Sequence, residues 1–191
     1  MAFASDKGRQ GAAGVSTGGY SIDNSLRFND DDSAYLSRTP SSAGNRKTWT
    51  WSGWAKRGNI GVELLLFETY YTTDDWSRIG INSDNRLMIH SRNGNVNKGY
   101  LYTEQLLRDS SAWYHIVVSV NTTLSTANDR QKMYINGVRV ADFNISLNPD
   151  QNYNTWINDT KSMYIGDSAD MNGDGYLAEV HFIDGQALDP T

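Results

Sequence analysis

The chain has 191 residues and a formal net charge of −5, with eleven Tyr, six Trp and seventeen Gly but only three Pro and no Cys. The acidic total without a basic stripe argues against a nucleic-acid partner, and the absence of Cys excludes a disulfide framework and thiolate metal sites. No apolar run approaches the roughly 18 residues of a membrane-spanning helix, so we expect no membrane partner.

Residues 1–24 differ in composition from the rest of the chain. Glycines recur among Ala, Ser and Thr, at Gly8, Gly11, Gly14, Gly18 and Gly19. Such a segment lacks the apolar area needed to order itself, so it is either a loose arm or a peptide that orders on a partner. We therefore divide the chain into an N-terminal arm, 1–24, which is a candidate docking element, and a folded domain, 25–191.

The first half of the domain contains segments with strand periodicity. After two brief candidates at 25–28 and 35–38, residues 48–56 alternate, with Trp49 and Trp51 on one face and Trp54 on the other. Residues 62–67 are apolar apart from Glu63, which is typical of a buried central strand. Residues 76–82 alternate again, and further strands are predicted at 86–92 and 99–107.

The second half continues the same pattern. A strand at 113–120 precedes two apolar runs, 132–135 and 138–140, which are separated by Asn136 and Gly137. This dipeptide predicts a hairpin, because both turn positions can take a positive φ. The last strands are expected at 162–165 and 176–183. The one weak helix candidate, 102–108, is too short to stand alone. About a dozen short strands without a convincing helix predict an all-β, two-layer sandwich.

Three stretches of the second half resemble a known family. They are 113–118 (WYHIVV), 132–137 (KMYING), and 164–166 (YIG) followed by 175–180 (GYLAEV). In order and spacing they are similar to concanavalin A-like and laminin G-like domains. The resemblance implies a two-sheet antiparallel jelly-roll sandwich. We expect Trp49, Trp51, Trp54 and Trp113 to lie in or near its core.

A narrower resemblance covers nearly the whole chain. Residues 5–14 (SDKGRQGAAG), 45–54 (NRKTWTWSGW) and 182–188 (FIDGQAL) resemble virion structural proteins of marine and freshwater phages, notably cyanophages. This implies a non-enzymatic tail-fibre, adhesin or capsid-decoration protein of the virion, which docks through the arm and projects the sandwich. Its partners would be other virion proteins and copies of itself.

Two other functions stay open. The first is a carbohydrate-binding module that recognises host surface glycans, which is compatible with a virion protein. The second is a glycan hydrolase of the laminarinase-like kind, which needs two carboxylates facing one another across a sugar. No Glu-x-Asp-x-Glu motif is present, and we expect Glu63 and Glu68, five residues apart, to face opposite sides. The sequence therefore predicts no enzymatic activity.

One loop is a candidate calcium site. Asp170, Asn172 and Asp174 occupy the first, third and fifth positions of a calcium-loop pattern, and Gly175 follows at the sixth. The twelfth position is a His rather than a bidentate Glu, so Asp167 and Glu179 are the candidate substitutes. The alternative is an Asn/Gly/Asp-rich loop that needs no ion.

Two aromatic segments are candidate sugar platforms, because exposed rings stack on sugar faces while nearby carboxylates and amides bind hydroxyls. The candidate residues are Tyr70, Tyr71, Asp74, Asp75 and Trp76 in the first segment, and Tyr153 and Trp156 in the second. The alternative, which the sequence favours, is that these rings fill the edge of the sandwich or a subunit interface.

Overall fold

The computed structural model describes residues 24–168 and 173–190. Within them the chain forms two antiparallel β-sheets, of six and seven strands, and two three-residue 3₁₀ helices, Asp30–Asp32 and Ala127–Asp129. The predicted all-β sandwich is confirmed. The predicted arm, 1–24, lies outside the described residues except for Asn24. Neither described helix has the length and apolarity that a membrane span requires.

The six-stranded sheet joins the two ends of the described chain. Its strands are β1 (Leu26–Phe28), β3 (Thr48–Arg57), β8 (Trp113–Asn121), β9 (Gln131–Ile135), β10 (Val138–Arg139) and β13 (Gly175–Asp184). Their order across the sheet is β1-β13-β3-β8-β9-β10. The predicted hairpin is confirmed between β9 and β10, where Asn136 has φ 51° and Gly137 has φ 81°.

The seven-stranded sheet contains most of the middle of the chain. Its strands are β2 (Leu36–Arg38), β4 (Leu64–Thr72), β5 (Asp75–Ile81), β6 (Arg86–Asn93), β7 (Val96–Leu106), β11 (Phe143–Leu147) and β12 (Met163–Gly166). Their order is β11-β7-β6-β5-β4-β12-β2. The weak helix candidate at 102–108 is wrong, since it falls largely in β7, and β11 was not predicted.

The hydrophobic core lies between the inner faces of the two sheets. Trp49 and Trp51 are fully buried in it, as predicted. Trp54 and Trp113 are not part of it, and this expectation is corrected: both are half-buried on the outer face of the six-stranded sheet, where the Trp54 ring lies 5.0 Å from the ring of His115. Side chains alternate along a strand, so Trp54 must point away from the face that Trp51 occupies.

The segment after β13 crosses the outer face of the six-stranded sheet. Thr50 Oγ1 donates to the Gln186 carbonyl at 2.8 Å and accepts from the Leu188 N–H at 2.8 Å. Farther along, the Tyr134 hydroxyl donates to Asp189 at 2.5 Å. These contacts cover one end of the outer face, near Thr50, and leave the end near Lys56 uncovered.

Candidate functional site

Three loops meet at one end of the seven-stranded sheet. The Gly94 N–H donates to Asp75 Oδ1 at 2.8 Å and the Asn95 N–H donates to the Asp74 carbonyl at 3.2 Å, which joins the β6–β7 turn to the β4–β5 turn. Trp156, in the loop before β12, donates its indole N–H to a carbonyl of β6 at 2.8 Å. Two of the predicted site segments, 70–76 and 152–156, are therefore neighbours in space.

An aromatic pair, the exposed Tyr71 and the half-buried Trp156, lies at this end. The rings of Tyr71 and Trp156 lie 5.5 Å apart, and Tyr71 is 49% exposed. Each ring also contacts a cation: Lys161 Nζ lies 3.9 Å from the Tyr71 centroid, and Arg46 Cζ lies 5.2 Å from the Trp156 ring. We refer to Tyr71, Trp156, Lys161 and Arg46 as the tip cluster. Arg46 is held by an ion pair with Asp159 at 2.8 Å.

Tyr153 lies near Arg46 of the tip cluster and near Asp75. Burial raises the pKa of its phenol to about 12, with Arg46 opposing that rise and Asp75 adding to it. Tyr153 is therefore neutral at physiological pH and lies within electrostatic range of both charged groups. The structure brings together Tyr71, Asp75, Tyr153 and Trp156 from the predicted platform.

Trp76 has a different environment from the other predicted platform residues. It is only 6% exposed, and it stands on the outer face of the seven-stranded sheet, directly opposite Tyr70. Arg78 Cζ lies 3.8 Å from its ring centroid, and the His90 ring packs edge-on at 4.5 Å. The indole N–H donates to the Thr73 carbonyl at 3.2 Å. Trp76 is therefore packed on the outer face of the sheet and is not one of the exposed rings.

A line of large polar side chains runs across the same outer face. Strand pairing places one residue of each of five neighbouring strands opposite the next, and we refer to these residues as the outer row: Tyr164, Glu68, Arg78, His90 and Tyr100. At its centre Arg78 Nη2 lies 2.6 Å from Glu68 Oε1, and Glu68 is 0% exposed. A carboxylate so buried and paired is unsuited to reach a glycosidic bond.

A β-bulge corrects the expected orientation of the two glutamates. The register of β4 shifts between Leu65 and Phe67, so the consecutive residues Leu66 and Phe67 both belong to the core. Leu65 instead packs in a separate outer cluster. Glu63 and Glu68 consequently lie on the same face rather than on opposite faces, because a bulge inserts one residue into the alternation.

Arg78 is paired with Glu68 and also influences the carboxyl of Glu63. Burial raises the pKa of the Glu63 carboxyl and Arg78 opposes that rise. Burial also lowers the pKa of His90 to about 4, although its hydrogen bond to Asn97 at 2.8 Å opposes this change. His90 is therefore neutral at pH 7, and Arg78 is the positive charge at the centre of the outer row.

The predicted calcium loop is described only in part. Asp170 and Asn172 lie outside the described residues, whereas Asp167 and Asp174 are 4% and 2% exposed. One carboxylate oxygen of each, Oδ1, is buried without a hydrogen-bond partner among the described residues. The two ends of the loop converge, since a Cβ built on Gly173 would lie 1.8 Å from the carbonyl oxygen of residue 166.

These features fit a hard cation but do not complete a site. Calcium prefers several oxygen ligands, and Asp167 and Asp174 supply buried carboxylates of that kind. Glu179, the other predicted substitute, lies at the β13 irregularity with φ 49° and has its Oε2 3.5 Å from His181 Nε2. Among residues 24–168 and 173–190, no group of three acidic, His or Cys side chains is arranged to hold a metal.

Several residues of the site were not predicted from the sequence. Arg46 and Lys161 join the tip cluster from distant segments, and no local pattern marks them. Arg78 and His90 did carry a signal, because each occupies an alternating position of a predicted strand with the polar face outward.

Comparisons with known proteins agree with this architecture. The sequence model of a family described as the concanavalin A-like lectin/glucanases superfamily matches residues 28–191. No curated protein matches the chain in sequence.

Solved structures share the fold at low identity. Domains LG4-5 of the mouse laminin α1 chain match with a TM-score of 0.62 and 13% identity, over 88% of this chain and 44% of that chain. The heptameric SAP-like pentraxin of Limulus polyphemus matches with a TM-score of 0.54 and 15% identity, over 81% of this chain and 70% of that chain. The CBM40 of Ruminococcus gnavus IT-sialidase, bound to α2,3-sialyllactose, matches with a TM-score of 0.53 and 13% identity, over 83% of this chain and 94% of that chain.

Proposed function

The chain belongs to the concanavalin A-like lectin/glucanases superfamily, and from this premise we propose that it is a non-enzymatic carbohydrate-binding domain whose tip cluster holds the sugar. The sandwich supplies a rigid scaffold, and three loops at one end of the seven-stranded sheet supply the contacts. This arrangement is common in proteins, because binding residues are concentrated on loops that a rigid scaffold positions.

The pair formed by Tyr71 and Trp156 is the observation that carries the proposal. Exposed aromatic rings present an apolar face to the C–H groups of a sugar, and Tyr and Trp keep a polar group for hydrogen bonds. Thr72, Thr73 and Asp74 are exposed beside Tyr71 and offer hydroxyl and carboxylate groups to sugar hydroxyls. Trp156 is held in its position within the pair because its indole and backbone N–H groups both donate hydrogen bonds.

The structural neighbours support the same class of ligand. The CBM40 of R. gnavus sialidase is bound to α2,3-sialyllactose, and another neighbour of this fold, a botulinum neurotoxin type C, interacts with gangliosides. Those ligands belong to those proteins, and at 13–15% identity the likeness establishes the fold alone.

Glycan-array binding of the purified chain and of two variants tests this proposal. Tyr71→Ala and Trp156→Ala should each reduce binding by about five- to 150-fold, if a sugar ring gains about as much from one aromatic side chain as a stacked nucleic-acid base does, which is about 1–3 kcal/mol. The matched control is Tyr35→Ala, because Tyr35 is 55% exposed but packs against Tyr164, outside the tip cluster. Equal binding by all three variants, or no binding to any glycan by the unchanged protein, would contradict the proposal.

Hydrolysis is the competing function, and the shared face of Glu63 and Glu68 gives it a specific test. We expect no release of reducing ends from any bound oligosaccharide, because Glu68 is buried against Arg78. If reducing ends are released and Glu63→Gln abolishes the release, the domain is a glycan hydrolase.

We further propose that this domain serves as a structural component of a phage virion, as a tail fibre, adhesin or capsid decoration. The support for this role is the resemblance of residues 5–14, 45–54 and 182–188 to virion structural proteins of marine and freshwater phages. In this proposal residues 1–24 dock on another virion protein, and the sandwich projects outward with its tip cluster free for a host surface glycan. Copies of the chain would associate in the particle.

A mass-spectrometric census of purified particles tests the virion role. The chain should be present at a fixed stoichiometry, and a variant lacking residues 1–24 should remain folded yet be lost from the particle. Particles that lack the full chain, or that retain the shortened variant at the same stoichiometry, would refute docking through the arm.

A further inference from the structure

A polar cavity lies on the six-stranded sheet, away from the tip cluster. It has a volume of about 330 Å³ and is lined by residues that include Arg27, Lys56, Arg57, Ser110, Asp174 and Tyr176. This volume is at the lower end of the range for small-molecule sites, which is about 300–1,000 Å³. It lies at the end of the outer face that the segment after β13 leaves uncovered.

Strand pairing builds the mouth of this cavity. Arg27 of β1 lies opposite Tyr176 of β13, which lies opposite Lys56 of β3, which lies opposite Trp113 of β8. Residues directly opposite on neighbouring strands share a face, so these four side chains form one line. Arg27 Cζ lies 5.9 Å and Lys56 Nζ 5.8 Å from the Tyr176 ring centroid, and the Trp113 ring lies 6.5 Å from it.

The mouth concentrates positive charge on an acidic protein. Within the described part of the chain, neither Arg27 nor Lys56 has a carboxylate oxygen within 4.0 Å. The hydrogen bonds that Ser111 donates to Asp109 Oδ1, at 2.8 and 2.6 Å, are the main reason that the pKa of the Asp109 carboxyl is lowered, and Lys56 adds to this only from beyond ion-pair distance. Lys56 and Arg27 are therefore left to attract an external anion.

The floor of the cavity is charged but nearly balanced. Arg57 is 1% exposed and Asp174 is 2% exposed, and the two lie close enough to influence one another. Arg57 Nη2 donates to the carbonyls of Asn59 and Val62. Since the floor holds one charge of each sign, the net charge that the cavity presents comes from Arg27 and Lys56.

We propose that this cavity binds an acidic saccharide, with the oxyanion of the sugar between Arg27 and Lys56 and an apolar face of the ring against Tyr176. A carboxylate and a sulfate ester share the required chemistry, because both accept charge-assisted hydrogen bonds from guanidinium and ammonium groups. The Ser110 hydroxyl at the cavity wall provides a partner for a sugar hydroxyl. This site is separate from the tip cluster and does not depend on it.

Titration of the full chain with four probes tests the proposal: D-galacturonate, galactose 6-sulfate, neutral D-galactose and inorganic sulfate. Binding is followed by the NMR signals of the Tyr176 and Trp113 rings. We expect both acidic sugars to bind, and to bind more weakly as the salt concentration rises. Lys56→Gln and Arg27→Gln should each weaken binding of the acidic sugars at least tenfold, while Arg139→Gln, a control at an exposed ion pair, should not.

The remaining outcomes would each contradict a specific part of the proposal. Equal binding of D-galactose would show that the cations play no part, and inorganic sulfate binding as tightly as galactose 6-sulfate would show an anion site rather than a sugar site. If Trp156→Ala abolishes binding and Lys56→Gln leaves it unchanged, the acidic sugar binds at the tip cluster, and this proposal fails while the proposed function stands. Unfolding curves of Lys56→Gln and Arg27→Gln verify that both variants remain folded.

Discussion

Gly166 occupies a position that no other residue can take without displacing the core. Its φ is +95°, and a Cβ built on it would lie 1.9 Å from Cδ1 of Phe28, a core residue that is 3% exposed. For Gly166→Ala, the left-handed backbone costs about 1–2 kcal/mol. Displacing the Phe28 ring from a packed core adds about 1–3 kcal/mol. We therefore expect the free energy of unfolding to fall by about 2–5 kcal/mol, the sum of these two contributions.

Urea-induced unfolding at pH 7, followed by Trp fluorescence, measures this loss, and Gly137→Ala is the matched control. Gly137 also has a positive φ, +81°, but nothing lies within 4 Å of its built Cβ. The control carries the backbone cost without the collision, and both variants share the effect of Ala on the unfolded chain. The difference between them should be about 1–3 kcal/mol, the cost of displacing Phe28.

A double variant isolates the collision. Phe28→Ala should be less destabilising in the Gly166→Ala background than in the unchanged protein, because the ring that collides has already been removed. If Gly166→Ala costs no more than Gly137→Ala, or if the effects of Phe28→Ala and Gly166→Ala simply add, then the close approach between Gly166 and Phe28 does not limit this position.

Two further predictions concern titration and metal. Because burial lowers the pKa of His90 to about 4 from 6.5, the unfolded chain binds more protons between these pH values, and stability should fall by up to about 3 kcal/mol as the pH drops through that window. Urea midpoints at pH 7 and 4.5 should reveal this loss, and His90→Gln should reduce it; an unchanged loss would assign it to other groups. If the loop of Asp167 and Asp174 binds calcium, a saturating concentration should raise Tm, since ligand at one hundred times Kd stabilises a protein by about 2.7 kcal/mol. Asp174→Asn should abolish that rise in Tm. An equal rise in the variant, or no rise in the unchanged protein, would show that these carboxylates do not form a calcium site.

Much of the architecture could be predicted because strand signals are local. The alternation in residues 48–56 identified β3 and correctly assigned Trp49 and Trp51 to the core. The dipeptide formed by Asn136 and Gly137 identified its hairpin for the same reason, since two residues with positive φ determine the turn without help from distant parts of the chain.

The candidate sites depended on contacts that no local pattern encodes. Tyr71 and Trp156 meet only because the loop before β12 packs against β5 and β6, and Arg46 and Lys161 reach them from other segments. The line from Arg27 to Trp113 likewise needs four strands from the beginning, middle and end of the described chain.

The sequence by itself determined a sandwich of short alternating strands, because burial of one strand face leaves a period of two that can be read residue by residue. Only the tertiary structure decided which residues share a face across strands. The bulge between Leu65 and Phe67 in β4 placed Glu68 on the same face as Glu63, and the pairing order of β1, β13 and β3 brought Arg27, Tyr176 and Lys56 together. Register and strand order are set by the packing of the whole core, so the sequence of one strand does not contain them.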